Sequence, residues 1–226
     1  MINMVEGGIK MLILHSLSKS DKIIFKEIFY DDVYDEGLRG LGTVKNILDI
    51  GANFGGFVVY AADRYPNAKI EAYEPTMEQY VILDKNIELN KISDRVIAYH
   101  VGVWSSEGFK KLYQYNGGGL NSLVYATIDE LPLLRTVEVY CLPLDFIIGV
   151  KTIDLLKIDC EGSEYEILYN CKKLSQIRRI VGEYHEFDYI ASHNGITLER
   201  RLKEAGFKTY FRHDSERKVG YFHAKK

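Results

Sequence analysis

The sequence is short of most residues that mark specialised classes of protein. Its 226 residues include three cysteines, Cys141, Cys160 and Cys171. An odd number with no Cys-x-x-Cys pair argues against a disulfide scaffold and against a structural zinc site. Four prolines and nineteen glycines are too few for a fibrous or low-complexity chain. The apolar run nearest the start, residues 11–14, is shorter than a signal-peptide core, and no stretch approaches the ~20 residues that span a bilayer. Basic residues number 29 against 32 acidic ones, so there is no positive excess for a polynucleotide. These absences lead to the expectation of a reduced, cytoplasmic, globular chain with no membrane span. Tyrosine, at seventeen residues, is the surplus, and it favours no chemistry by itself.

What is present is alternation. Residues 20–36 carry Ile23, Ile24, Phe25, Ile28, Phe29 and Val33 at helical spacing, and glycines at 37, 40 and 42 break the pattern. This predicts an N-terminal helical cap over 1–42 and a main domain over 43–226. Within the main domain, strands are expected at 44–50, 68–73, 95–103, 153–158 and 179–184. Helices are expected at 54–65, 76–90, 163–169 and 197–205, the last closed by Gly206. Thr76 followed by Gln79 reads as a capping box. Two extended segments, 109–115 and 136–142, interrupt the alternation around Gly117-Gly118-Gly119, and 207–211 with 218–223 make a closing hairpin. Strands alternating with helices imply a parallel sheet covered on both faces. The expected fold is therefore α/β: a doubly wound, mostly parallel seven-stranded sheet with a C-terminal antiparallel hairpin.

In such a sheet, ligands sit at the carboxyl ends of the strands, near the switch in strand order. The first strand ends Asp49-Ile50-Gly51-Ala52-Asn53-Phe54-Gly55-Gly56. Gly51 suits a tight turn with close backbone approach, and Gly55 lets the following helix lie close to the strand. Asn53 stands where a dinucleotide fingerprint has glycine, and no Gly-Lys-Ser/Thr follows, so the main handle is not phosphate. Glu74, 23 positions beyond Gly51 at the end of the second strand, is placed to accept hydrogen bonds from both ribose hydroxyls. A nucleoside held without pyrophosphate points to S-adenosyl-L-methionine; a purely structural turn is the competing reading.

Residues 47–55, Ile-Leu-Asp-Ile-Gly-Ala-Asn-Phe-Gly, and 154–164, Asp-Leu-Leu-Lys-Ile-Asp-Cys-Glu-Gly-Ser-Glu, resemble the two hallmark motifs of the FkbM family of S-adenosylmethionine-dependent methyltransferases. The similarity runs from about Phe25 to about His185. It takes in Tyr73-Glu74-Pro75, Asn86-Ile87-Glu88-Leu89-Asn90, and Gly102-Val103 ahead of a Glu107-Gly108 turn. The resemblance implies a class I Rossmann-like fold and O-methylation of a sugar, polyketide or other small hydroxylated acceptor. It implies cofactor contacts from Asp49, Gly51, Ala52, Asn53, Gly55, Glu74, Pro75, Gly102 and Val103. Trp104 departs from the family's usual small residue and is expected either to line the adenine pocket or simply to pack.

Residues 153–159 should form a central strand buried on both faces, so its polar residues call for explanation. Lys157 and Asp159 point to one side, Glu161 follows on the turn, and Glu164 reads as a solvated or capping residue. The fifth strand ends Gly182-Glu183-Tyr184-His185-Glu186, bringing Glu183 and His185 beside Asp159 if the two strands are neighbours. Methyl transfer from a sulfonium needs in-line alignment and removal of the hydroxyl proton. Asp159, Glu161 or His185 could be that base; His185 is the leading candidate, oriented by Glu183, with Asp159 positioning donor and acceptor. A divalent metal such as magnesium on Asp159, Glu183 and His185 is a rival arrangement.

The loop from Tyr113 to Tyr125, with Asn116, three glycines, Asn121 and Ser122, reads as a lid over the acceptor or as a plain hairpin tip. Tyr30 and Tyr34 either reach the cofactor carboxylate or pack the cap onto the domain. An RNA methyltransferase is the main enzymatic rival. The basic pairs are scattered, however, and Asp159-Cys160-Glu161-Gly162 lacks the Asn/Asp-Pro-Pro-aromatic loop of base amino-methylation, which weighs against nucleic acid. A non-catalytic S-adenosylmethionine-binding protein is the remaining alternative.

Overall fold

A computed structural model of the chain describes residues 2–4, 12–14, 19–115, 121–125, 132–186, 190, 193–214 and 218–226. A short antiparallel hairpin, β1 (Ile2–Met4) and β2 (Leu12–Leu14), comes first. Helices α1 (Lys19–Phe29) and α2 (Asp35–Leu38) follow. The first βα run is β3 (Asn46–Ile50), α3 (Gly56–Arg64), β4 (Lys69–Tyr73), α4 (Met77–Leu89) and β5 (Val96–Tyr99). Four strands then leave the main sheet: β6 (Gly102–Trp104), β7 (Gly108–Tyr115), β8 (Asn121–Ser122) and β9 (Leu133–Pro143). The chain returns through α5 (Leu144–Ile148), β10 (Leu155–Ile158), α6 (Glu164–Asn170), β11 (Arg179–His185) and α7 (Gly195–Glu204), and closes with β12 (Lys208–Asp214) and β13 (Val219–Lys225).

The main sheet has the order β5-β4-β3-β10-β11-β13-β12. The five inner and left-hand strands are parallel, and the closing hairpin is antiparallel. The order reverses between β3 and β10, whose last residues Ile50 and Ile158 are in register. Loops leaving adjacent parallel strands in opposite directions open a crevice at that point.

Both faces of the sheet are sealed. On one, Phe54, Phe57 and Val58 of the α3 region join Phe25, Ile28, Tyr34 and Leu38 from the N-terminal helices over Ile47, Ile70 and Val181. On the other, Ile147, Tyr165, Ile167, Leu168, Leu198 and Leu202 cover Leu48, Leu156, Ile158 and Ile180. A nine-residue helix such as α3 is marginal in isolation, whereas each buried Val, Leu or Phe contributes about 1.5–3 kcal/mol. Packing onto the sheet therefore decides that it is helical. Among the described residues, no helix is long and apolar enough to cross a membrane.

The structure corrects three expectations. The strand expected at 95–103 is two strands: β5 ends at Tyr99, and β6 belongs to a separate four-stranded sheet of order β6-β9-β7-β8. Gly102 pairs with Cys141 of β9 so closely that a Cβ on it would lie 2.6 Å from the Cys141 sulfur. The capping box does not form either. Thr76 makes no side-chain cap, and its N–H donates instead to Glu74 Oε1 at 2.7 Å, an ionisable acceptor that the neutral amide of Gln79 cannot match. Finally, the N-terminal segment holds a β-hairpin as well as helices.

Candidate active site

The carboxyl ends of β3, β4, β10 and β11 converge at the switch in strand order. After β3 the chain turns at Gly51, whose φ is +76°. A Cβ there would lie 1.8 Å from the Asp159 carbonyl oxygen, so the first motif can approach the second only through a glycine. The N–H groups of Gly51 and Ala52 both donate to the Tyr73 carbonyl at 3.0 Å. Gly55, at φ +87°, abuts Leu83 of α4.

Asn53 also has positive φ, +50°, which asparagine tolerates better than most residues. This turns its N–H toward Glu74 Oε2 at 2.8 Å, while its side-chain Oδ1 accepts from Phe54 N–H at 2.8 Å. Glu74 is buried. Burial raises its carboxyl pKa above the usual range, although the Thr76 and Asn53 N–H groups oppose the rise. Each carboxylate oxygen accepts one backbone bond and keeps a lone pair for a ligand. Pro75, next in sequence, accepts from His100 Nε2 at 3.0 Å, and Gly102 and Val103 are buried where the small sheet begins.

Lys157 explains both the polar residue in the central strand and the role of Asp49. The two are register partners on adjacent strands. Lys157 Nζ lies 3.2 Å from Asp49 Oδ1 and 3.8 Å from Asp159 Oδ2, and it donates to the Gly51 carbonyl at 2.7 Å. Burial works against the Lys157 ammonium, but Asp49 and Asp159 hold its pKa above the ordinary range. Asp49 is wholly buried; its side chain pairs with Lys157, which holds the glycine turn, and it presents no surface to a ligand.

In the second motif Glu161 and Gly162 take successive left-handed conformations, φ +52° and +99°. Glu164 staples this turn, accepting from Cys160 N–H at 2.5 Å and Gly162 N–H at 2.9 Å. It has no exposed surface, so it caps the turn and is not solvated. From the small sheet, Ser122 Oγ donates to the Glu161 carbonyl at 2.5 Å.

Glu183 and His185 do lie beside Asp159, since β10 and β11 are parallel neighbours. The partner of His185, however, is Glu161: Nε2 is 3.1 Å from Glu161 Oε2 and 4.0 Å from Glu183 Oε1. The expected orienting role of Glu183 is thus corrected, because the left-handed backbone at Glu161 swings that carboxylate over the ring. His185 Nδ1 is buried without a hydrogen-bond partner, 3.7 Å from Glu164 Oε1. Burial lowers the imidazole's proton affinity, but Glu161 and Glu164 outweigh it and hold the pKa well above the ordinary range. Burial and Asp159 push the Glu183 carboxyl up. Of the groups expected to hold a metal, Asp159 and His185 cluster with Glu164 in place of Glu183.

The family model for the methyltransferase FkbM domain matches residues 49–209. The chain belongs to the FkbM methyltransferase family. It is 33% identical to methyltransferase sdnD of Sordaria araneosa, the alignment covering 85% of each chain. It is 25% identical to the 31-O-demethyl-FK506 methyltransferase FkbM of Streptomyces tacrolimicus, over 78% of this chain and 79% of that one. Among solved structures, M. capricolum TrmK in complex with S-adenosyl-homocysteine shares the fold, with a TM-score of 0.50, 12% identity, and 85% of this chain and 66% of that one covered.

Several residues of this methyltransferase have roles that its sequence did not disclose. Asn86 donates from its side chain to the Phe54 carbonyl at 2.7 Å, so that part of the Asn-Ile-Glu-Leu-Asn run secures the glycine loop from α4. Trp104 packs against Leu112, Val139 and Cys141, which is the packing alternative. Tyr30 is exposed, and buried Tyr34 meets Phe57 and Tyr221 edge-on at 5.3 and 6.3 Å; both belong to the cap's packing. Burial, Asp159 and Glu183 raise the Tyr34 phenol pKa. Asn116 and the three glycines of the expected lid lie outside the described residues. Two omissions had a signal: a lysine in a fully buried strand requires a buried acid, and a Glu two residues after a glycine turn is a natural staple for that turn's N–H groups.

Proposed function

We propose that this methyltransferase carries a methyl group from S-adenosyl-L-methionine to a hydroxyl oxygen of a small molecule, with a sugar or glycan favoured over nucleic acid. The observation that carries the reading is Glu74. Its carboxylate is fixed by Asn53 and Thr76 N–H groups at 2.8 and 2.7 Å, with one lone pair per oxygen left for the two hydroxyls of a ribose. The Gly51 turn beside it leaves a bare backbone against which the rest of the donor lies. The S-adenosyl-homocysteine held by TrmK supports the donor, and the O-demethyl substrate named for the Streptomyces relative supports an oxygen acceptor.

Transfer forms an O–CH3 bond as the S–CH3 bond breaks, releasing S-adenosyl-homocysteine and one proton. In this reading His185 does not take that proton, because Nε2 is engaged by Glu161 and Nδ1 is enclosed. Glu183, near the end of β11 with its side chain 17% exposed, is the base instead. Asp159 aligns donor and acceptor across the gap between the motifs.

Methyl-tritiated S-adenosylmethionine, offered with pools of sugars, lipid-linked glycans and RNA, tests the proposal. Label is expected in a hydroxylated small molecule, and calorimetry is expected to show Glu74→Ala losing donor affinity by about 10–100-fold, the value of one or two charged hydrogen bonds. Label confined to RNA overturns the acceptor class. Donor binding without product on any pool indicates a non-catalytic binder, and unchanged affinity in Glu74→Ala removes the ribose assignment.

A further inference from the structure

We propose that Asp159, Glu164 and His185 form a binding site for a divalent cation of the manganese or magnesium type. Each residue offers a ligand atom, and the three atoms lie within 4.8 Å of one another. Donors on a sphere of about 2.1 Å radius are separated by roughly 3–4.2 Å, and His185 Nδ1 to Glu164 Oε1 is 3.7 Å. The set is therefore close to closing on one ion without moving the backbone.

A second observation points the same way. His185 Nε2 is 3.1 Å from Glu161 Oε2, while Nδ1 is buried with no hydrogen-bond partner. A metal-bound histidine has this arrangement once it has released its second proton to solvent: one nitrogen donates to a carboxylate, and the other turns a lone pair to the ion. Glu164 is equally prepared. Its two backbone bonds from Cys160 and Gly162 fix the carboxylate, and each oxygen keeps a further acceptor site.

The crowding of carboxyl groups favours a cation as well. Asp159, Glu161, Glu164 and Glu183 surround His185, and Lys157 is shared between Asp49 and Asp159. Four carboxyl groups against one imidazole and a shared lysine make an acidic, mostly enclosed space, which a divalent ion suits. Two carboxylates and one imidazole favour Mn2+ or Mg2+ over thiophilic metals. Three protein ligands also leave positions open for water or for the oxygens of an acceptor. That last role rests on the methyl-transfer reading above; the binding site does not.

The test uses the full chain and Mn2+. Electron paramagnetic resonance of free Mn2+ is expected to show one site, displaced by excess Mg2+ and weakened by at least about 10-fold in His185→Ala and in Asp159→Asn. Circular dichroism and donor affinity serve as the folding controls for His185→Ala. Absence of Mn2+ binding, or equal binding by wild type and a folded His185→Ala, overturns the site. Mn2+ binding together with methyl transfer that survives exhaustive chelation keeps the site and overturns its acceptor role. Mn2+ binding without methylation of any pool leaves the site standing and counts against the proposed activity alone.

Discussion

Replacing Lys157 with methionine isolates the buried charge pair beneath the glycine turn. Methionine keeps the length and most of the volume, so the change is chiefly one of charge. Asp49 has no exposed surface and the Lys157 side chain is 5% exposed, so the lost ammonium cannot be replaced by bulk water. Breaking a buried pair by removing one partner costs about 3–5 kcal/mol. The Gly51 carbonyl also loses the donor at 2.7 Å, a further ~1 kcal/mol that partly overlaps the first figure. Against a total of roughly 5–15 kcal/mol, that is about a fifth of the stability or more. At roughly 2–4 °C per kcal/mol for a domain of this size, the midpoint should fall by about 6–20 °C. Asp49→Asn combined with Lys157→Met removes both charges and should recover most of the loss. The pH dependence has a definite sign. Burial already raises the Asp49 carboxyl pKa despite Lys157, and removing the lysine raises it further. A raised carboxyl costs stability once it ionises, so the deficit is largest near neutral pH and shrinks as pH falls through the folded-state value. Urea unfolding followed by circular dichroism at about pH 5 and about pH 8 measures this. A variant as stable as wild type near neutral pH refutes the argument. So does a double variant no better than the single one, or a deficit that grows in acid.

Glu183→Gln should lower kcat by about 10²–10⁴-fold while leaving donor affinity unchanged, because a general base acts in the transition state; single-turnover kinetics with calorimetry separate the two. Gly51→Ala should abolish donor binding and lower the unfolding midpoint. The left-handed φ alone costs about 1–2 kcal/mol, and the added methyl would meet the Asp159 carbonyl at 1.8 Å; normal binding by this variant refutes the close approach of the two motifs. Asp154 accepts from Lys45 and Asn46 N–H at 2.8 and 3.0 Å and from Arg178 at 2.5 Å. Burial opposes these bonds, but together they lower its carboxyl pKa below the ordinary range. Its contribution is therefore present above about pH 4 and lost as pH falls through the folded-state value. Asp154→Asn should flatten the acid limb of a stability–pH curve, and an unchanged limb counts against the assignment.

The alternation of strands and helices was legible because strand and helix periods differ so sharply. The glycine turn was legible because Gly51 and Glu74 belong to elements whose order the pattern establishes. The small sheet was not. Its β7–β9 pairing joins Lys111 to Glu138 and Phe109 to Tyr140, and no local signal encodes a pairing across so long a loop. The break between β5 and β6 turns on one close contact, Gly102 with Cys141, which looks in sequence like an ordinary strand glycine. The same limit explains the exchange of Glu183 for Glu161. Strand periodicity puts Glu183 and His185 on one face, but a left-handed glutamate that reaches back over the ring has no periodic signature. Between the two readings open for Glu164, solvated or capping, the sequence could not choose, since a charged residue at a helix start normally points to water.

The hydroxyl bond from Ser122 to the carbonyl of Glu161 has an evolutionary consequence. Ser122 of β8 ties the small sheet to the turn that carries Glu161, and Gly102 of β6 brings the same sheet close to Pro75, next to Glu74. The outer surface of that sheet exposes Phe109 and Leu134. Drift at these exposed positions leaves the Ser122 bond in place, so a lineage can vary that surface while inheriting the turn intact.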